Sequence, residues 1–164
     1  MASGDTLLVF TSDDCRSPAS NGATHDVRND HPVIDFDAAT QETTYLEAVL
    51  PRGYAGGGLT VTLYWMATSA TSGAVVWSVA LERHEDDAFD LDANGFASAK
   101  TVTSTAPSAS GEVGVDSVAF TDGAEIDGLL AGESFRLSVA RAVADVGDDM
   151  VGDAELFKVE VRET

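Results

Sequence analysis

Leu59-Thr60-Val61-Thr62-Leu63-Tyr64-Trp65-Met66 alternates without a break. Leu59, Val61, Leu63 and Trp65 share one face, and Thr60, Thr62, Tyr64 and Met66 share the other. A repeat of two residues is the period of a β-strand, and this pattern predicts one face in a core and the other near solvent. Gly56-Gly57-Gly58 directly before it supplies the backbone freedom for a sharp entry into the strand. Outward from this stretch the same period recurs in Val75, Trp77, Val79 and Leu81, in Phe135, Leu137 and Val139, and in Phe157, Val159 and Val161. Weaker runs lie over Thr6–Thr11, Val33–Phe36, Thr44–Leu50, Ser98–Thr105 and Val113–Thr121. Gly, Pro, Asn, Asp and Ser separate these runs, as in an all-β chain of about nine short strands. The expectation is an antiparallel β-sandwich of jelly-roll topology with one short helix. That helix is placed over residues 121–132, with Asp122 as N-cap, Glu125 behind it, an apolar stripe of Ile126, Leu129 and Leu130, and Gly132 as the stop.

No repeat or linker divides the 164 residues. The reading is a single sandwich domain over 23–164, with residues 1–22 as an N-terminal arm or first edge strand. The charge is lopsided: 28 acidic against 9 basic residues, a net charge of -19. Nucleic acid and anionic membrane surfaces are excluded as direct partners, because both are bound chiefly through Lys and Arg. Self-repulsion of this size is screened by salt, so the composition suits a saline setting. Cys15 is alone and forms no intrachain disulfide. The N-terminus has no basic region, and Leu7–Phe10 is too short for a signal core or a membrane span, so a soluble chain outside the standard export route is expected.

Motifs with chemistry are few. Asp90-Leu91-Asp92-Ala93-Asn94-Gly95 reads as the start of a calcium loop, in which alternate oxygens turn inward. Asp90, Asp92 and Asn94 are therefore the candidate metal ligands, although Thr101 stands where the loop needs a bidentate Glu. Calcium there aside, no cofactor is expected. A second acidic loop, Asp145 to Asp149 with Asp153, binds a cation only if its carboxylates converge. His25, His31 and His84 do not have the spacing of a zinc site. No nucleophile elbow, metalloprotease helix or phosphate loop is present, and no catalytic residue is assigned: the chain is read as a non-enzyme. Tyr54, Tyr64, Trp65 and Trp77 are the aromatics available for a sugar platform, but both tryptophans fall on the inward phase and belong to the core. In the loop 51–58, Arg52 and Tyr54 stand among the small residues Gly56, Gly57 and Gly58, a composition that suits a subunit interface.

The stretches His31–Thr40, Leu50–Thr60, Trp65–Ala70 and Gly152–Thr164 resemble a group of small proteins encoded among the structural genes of tailed bacteriophages. The resemblance runs over most of the chain from Thr24 onward. It implies a virion structural protein with a β-sandwich or jelly-roll fold and brings no enzymatic residues with it. Within that group the implied role is a capsid decoration, or cement, protein. It would be made in the host cytoplasm, bind the major capsid protein on the outer capsid surface, and act as a homotrimer. The alternative is a lectin-like, carbohydrate-binding module of a tail fibre or head fibre. An outer position agrees with the acidity, since -19 per copy would oppose packaged DNA.

Overall fold

The computed structural model describes residues 2–164, which form ten strands in two antiparallel sheets. In chain order the strands are β1 (Thr6–Thr11), β2 (Thr24–Arg28), β3 (His31–Phe36), β4 (Thr43–Val49) and β5 (Leu59–Ala67). They continue with β6 (Ala74–His84), β7 (Lys100–Thr105), β8 (Gly114–Phe120), β9 (Ser134–Arg141) and β10 (Ala154–Glu163). The larger sheet runs β2-β3-β10-β5-β8, with β1 also paired to β10; the smaller runs β4-β9-β6-β7. The inward residues of both sheets make one core. At its centre Trp77 meets Trp65 edge-on at 5.9 Å and Phe36 at 5.1 Å, with both indoles fully buried as their phase predicts.

Three details differ from the sequence reading. The threonine face of β5 is largely buried, with Tyr64 half-buried, and its hydroxyls pair with side chains beside them: Thr60 with Thr164 at 2.9 Å and Thr62 with Ser117 at 2.8 Å. The helix over 121–132 shrinks to a single 3-10 turn, Ala124–Ile126. Gly123 (φ +95°) begins it, in place of the expected Asp122 cap, and Asp127 in the left-handed region ends it. Positive φ on both sides leaves no room for an α-helix to propagate, although Ile126 and Leu129 are buried as expected. Finally, β2 is a strand that the apolar pattern does not show. Asn29 and Asp30, both with φ near the left-handed value (48° and 64°), turn it into β3. That is the geometry of a two-residue hairpin turn matched to strand twist.

Residues 2–22 contribute to both sheets. β1 lies antiparallel to β10, with Phe10 opposite Val159. Beyond it the chain follows the outer edge of β4, where Arg16 and Tyr45 exchange backbone hydrogen bonds of 2.8 and 2.7 Å and Ala23 bonds to Thr43. This covers an edge that would otherwise offer unpaired amides to another chain. At the end of β9, Arg141 is fully buried and holds the β9–β10 connection. Its guanidinium forks onto Asp148 (2.8–3.2 Å) and donates to the carbonyls of Met150 (2.9 Å) and Gly152 (2.8 Å).

Candidate functional site

The outer face of the larger sheet carries a groove of about 510 Å³, bounded by the β2–β3 hairpin on one side and Ser110–Val113 on the other. Its floor comes from the outward phase of three neighbouring strands: Val33 of β3, Phe157 of β10 and Met66 of β5. Phe157 is there because of a β-bulge. In the β10–β5 ladder Leu156 pairs with Trp65 and Lys158 with Tyr64, so Phe157 is the extra residue. A bulge of this kind re-aims one side chain without ending the strand. Leu156 takes the core position, and the phenyl ring, expected inside with Val159 and Val161, lines the groove. His31 stands edge-on to it at 6.1 Å and 89°, and the ammonium of Lys158 lies 5.0 Å from its centroid.

The polar wall is fixed by ion pairing. Arg28 donates to the carbonyl of Ala67 at 2.8 Å and to the buried carboxylate of Glu155 at 2.6 Å. Gly111 (φ +87°) lets the opposite loop close over that guanidinium: a Cβ there would lie 3.2 Å from Arg28 Nη2. The groove thus offers two rings and a methionine next to a held cation and the carboxylate of Glu112. An apolar floor with a few placed donors and acceptors is the usual make-up of a small-ligand site.

Beside the groove Asp35 lies across from Glu155, and its Oδ1 is buried without a hydrogen-bond partner. Burial first, then the negative charges of Asp153, Glu155, Asp26 and Glu42, push its pKa up to about 6. The sign follows from linkage. A carboxyl that holds its proton more tightly when folded costs nothing below its unfolded pKa, and the cost grows as pH rises through the folded value. The full displacement corresponds to about 3 kcal/mol, which solvent screening of a partly exposed group reduces to about 1–2 kcal/mol. Asp35→Asn is therefore expected to raise the melting temperature at pH 8 and to leave it unchanged at pH 4. Melting curves at the two pH values check this, and an equal shift at both would refute it.

None of the metal, interface or sugar-platform candidates read from the sequence lines this groove; His31, weighed only for zinc, does. Tyr54 is only 8% exposed; its hydroxyl accepts from Gly58 N–H at 2.9 Å and donates to Asp122 at 3.3 Å. Arg52 is exposed and packs over Gly132, while Gly56, Gly57 and Gly58 complete a brace leading into β5. The loop holding Asp90, Asp92 and Asn94 is an exposed turn whose oxygens face its own amides: Asn94 Oδ1 accepts from Asp90 N–H at 2.9 Å, and Asp90 Oδ1 from Asp92 N–H at 3.0 Å. Among the described residues, no three His, Cys, Asp or Glu side chains gather as a metal-binding set. Of the aromatics considered, Trp65 and Trp77 are core, while His31 and Phe157 in the groove carry no sequence signal beyond residue type.

No family model matches the chain, and no curated protein matches it. Solved structures do. The family 11 carbohydrate-binding module from Clostridium thermocellum, in complex with a β-1,3-1,4-mixed-linked tetrasaccharide, aligns over 100% of this chain and 98% of its own, with a TM-score of 0.52 and 10% identity. The CBM22-1 xylan-binding domain from Paenibacillus barcinonensis aligns over 99% and 96%, with a TM-score of 0.51 and 10% identity. The K1 cleaved adhesin domain of Lys-gingipain from Porphyromonas gingivalis aligns over 98% and 99%, at 0.51 and 13%. At such identities the likeness is one of fold: the chain is a small all-β, antiparallel two-sheet sandwich, built as these domains are.

Proposed function

We propose that the protein is a non-catalytic carbohydrate-binding module whose ligand lies in the groove on the larger sheet. The observation that carries this reading is the bulge that turns Phe157 out of the core to stand beside His31 in an open groove with a fixed cation. A ring face for the C–H surface of a sugar, next to charged groups for its hydroxyls, is what glycan recognition requires. The ligand class is a neutral polysaccharide. A net charge of -19, with Glu112 in the groove wall, disfavours polyuronates. Mixed-linked β-glucan and xylan, the ligands named for two of the similar structures, are the first probes.

Phe157→Ala and His31→Ala are each expected to weaken binding by about tenfold, corresponding to about 1.4 kcal/mol. Affinity electrophoresis and calorimetry against the two glycans measure this, with circular dichroism to confirm the fold. Wild-type protein that binds neither glycan, or variants that bind as tightly as wild type, would sink the reading.

The resemblance to phage structural proteins gives the module a setting: a head or tail fibre that touches host-surface glycan. The second reading, a cement protein on the coat lattice, rests on that resemblance alone. Counting copies per purified particle separates the two, since cement requires a simple fraction of the coat protein number and a fibre only a handful.

A further inference from the structure

The smaller sheet has a groove of its own on its outer face, on the side of the sandwich away from the first. Pairing of β4, β9 and β6 sets Glu47, Arg136 and Glu82 in one row across three strands, with Val49, Ser134 and His84 in an adjoining outward row. Glu82 is 1% exposed and lies against two nitrogen donors: Arg136 Nη2 at 3.0 Å and His84 Nε2 at 3.4 Å. His84 Nδ1 is fixed in turn by Ser134 Oγ at 3.0 Å. The loop 85–99 folds over this row on two aromatic contacts. Phe96 stacks on Tyr45 at 5.6 Å, with the Arg136 guanidinium 4.6–4.7 Å from both rings, and Phe89 lies 4.5 Å from the His84 ring. Between loop and sheet remains a cavity of about 340 Å³, lined by Glu47, Glu82, His84, Phe89, Leu91 and Arg136. Leu91 is 86% exposed, an apolar side chain held at the mouth of a charged cavity.

We infer that this cavity is a second binding site, for a single neutral sugar ring. The arrangement of charge selects the ligand. Arg136 has an Nε without a hydrogen-bond partner, and Glu47 stands exposed directly across the ladder from it, so a donor and an acceptor of opposite charge sit side by side. An anionic ligand would meet the carboxylate of Glu47, and a cationic one the guanidinium of Arg136; either leaves like charges facing each other. A vicinal pair of hydroxyls meets neither obstacle, because one accepts from the guanidinium while the other donates to the carboxylate. The apolar face of the ring then lies against Phe89 and Leu91. This site uses sugar chemistry like that of the first groove but none of its residues. With ligands on opposite faces, one copy joins two glycan chains and gains from multivalency.

The test is amide NMR of the full chain titrated with methyl glycosides of glucose, galactose, mannose and xylose, with glucuronate and glucosamine as charged controls. Saturable shifts are expected over Tyr45–Val49, Glu82–Phe89 and around Arg136, with neutral glycosides binding roughly tenfold more tightly than either charged sugar. Glu47→Ala and Phe89→Ala should each remove these shifts while leaving those at His31 and Phe157 in place. Neither side chain is part of the core, and Arg136 is kept so that Glu82 never loses its partner. Shifts confined to Arg28–Val33 and Phe157 would overturn the second site and leave the first intact. Shifts over the smaller sheet support the second site whether or not the first groove responds, since the first is judged by polysaccharide binding. No saturable shift over the smaller sheet overturns the second site.

Discussion

Replacing Arg141 with alanine is expected to lower the stability of the sandwich by about 3–5 kcal/mol, the usual cost of removing one member of a buried ion pair. Two losses coincide there. Asp148, whose side chain is 3% exposed, keeps its charge without a counter-charge, and the carbonyls of Met150 and Gly152 lose their donor. Asp148 also accepts from the amide of Val76 at 3.0 Å, so the disturbance reaches the middle of the smaller sheet. Arg141→Lys should recover only part of the loss, because a point charge cannot satisfy a carboxylate fork and two carbonyls together. Urea unfolding of wild type and both variants measures the difference, in low and high salt. The gap should change little with salt, since a pair this deep is barely screened. A loss below about 1 kcal/mol, the range of exposed pairs, would show that the guanidinium does not hold the connection.

Gly58→Ala is expected to be nearly as damaging, and Gly56→Ala gives the control within the same loop. Both glycines have positive φ, +94° and +88°, so both substitutions carry the strain of a side chain in that region. Only at Gly58 is the space also filled. A Cβ there would sit 2.4 Å from the carbonyl oxygen of Phe120 and 3.3 Å from the amide of Asp122, and backbone atoms cannot swing aside as a side chain can. At Gly56 nothing lies within 4 Å. Expected losses are about 3 kcal/mol or more for Gly58→Ala and about 1 kcal/mol for Gly56→Ala. For a domain of this size that corresponds to about 6–12 °C against 2–4 °C in melting temperature. Equal shifts would mean that strain alone accounts for the glycines and that the close approach to β8 has no energetic weight.

These two sites show which parts of the molecule the sequence discloses. The alternation in β5 and β6 identified the strands and put Trp65 and Trp77 inside, because a half-buried strand writes its two faces into every second residue. The same rule misplaced Phe157. A bulge adds one residue to one strand, and the apolar pattern Phe157, Val159, Val161 reads the same whether the first ring points in or out. β2, Thr-His-Asp-Val-Arg, is exposed along most of its length and has no apolar face to betray it, so only the Asn29-Asp30 turn marked its end. The groove itself is assembled from the β2–β3 hairpin, β5 and β10, three segments far apart in the chain that become neighbours through the sheet order. Arg141 looked like one polar residue at the end of a strand; its burial depends on where Asp148 and the Met150–Gly152 backbone come to rest.

The position of β10 has a consequence for how the chain is made. It is the last strand of the sandwich in chain order, yet it lies inside the larger sheet and pairs with β1, β3 and β5. While the polypeptide grows from the ribosome, those three strands have no partner along the β10 side until Ala154–Glu163 emerges. Three of the five pairings in that sheet therefore wait on long-range loop closures, a topology associated with slow folding. Until then the nascent chain exposes apolar strand edges, the state most open to aggregation and to capture by chaperones. An incomplete translation product ending before β10 retains the full complement of strands for the smaller sheet but lacks the strand that joins the larger one together.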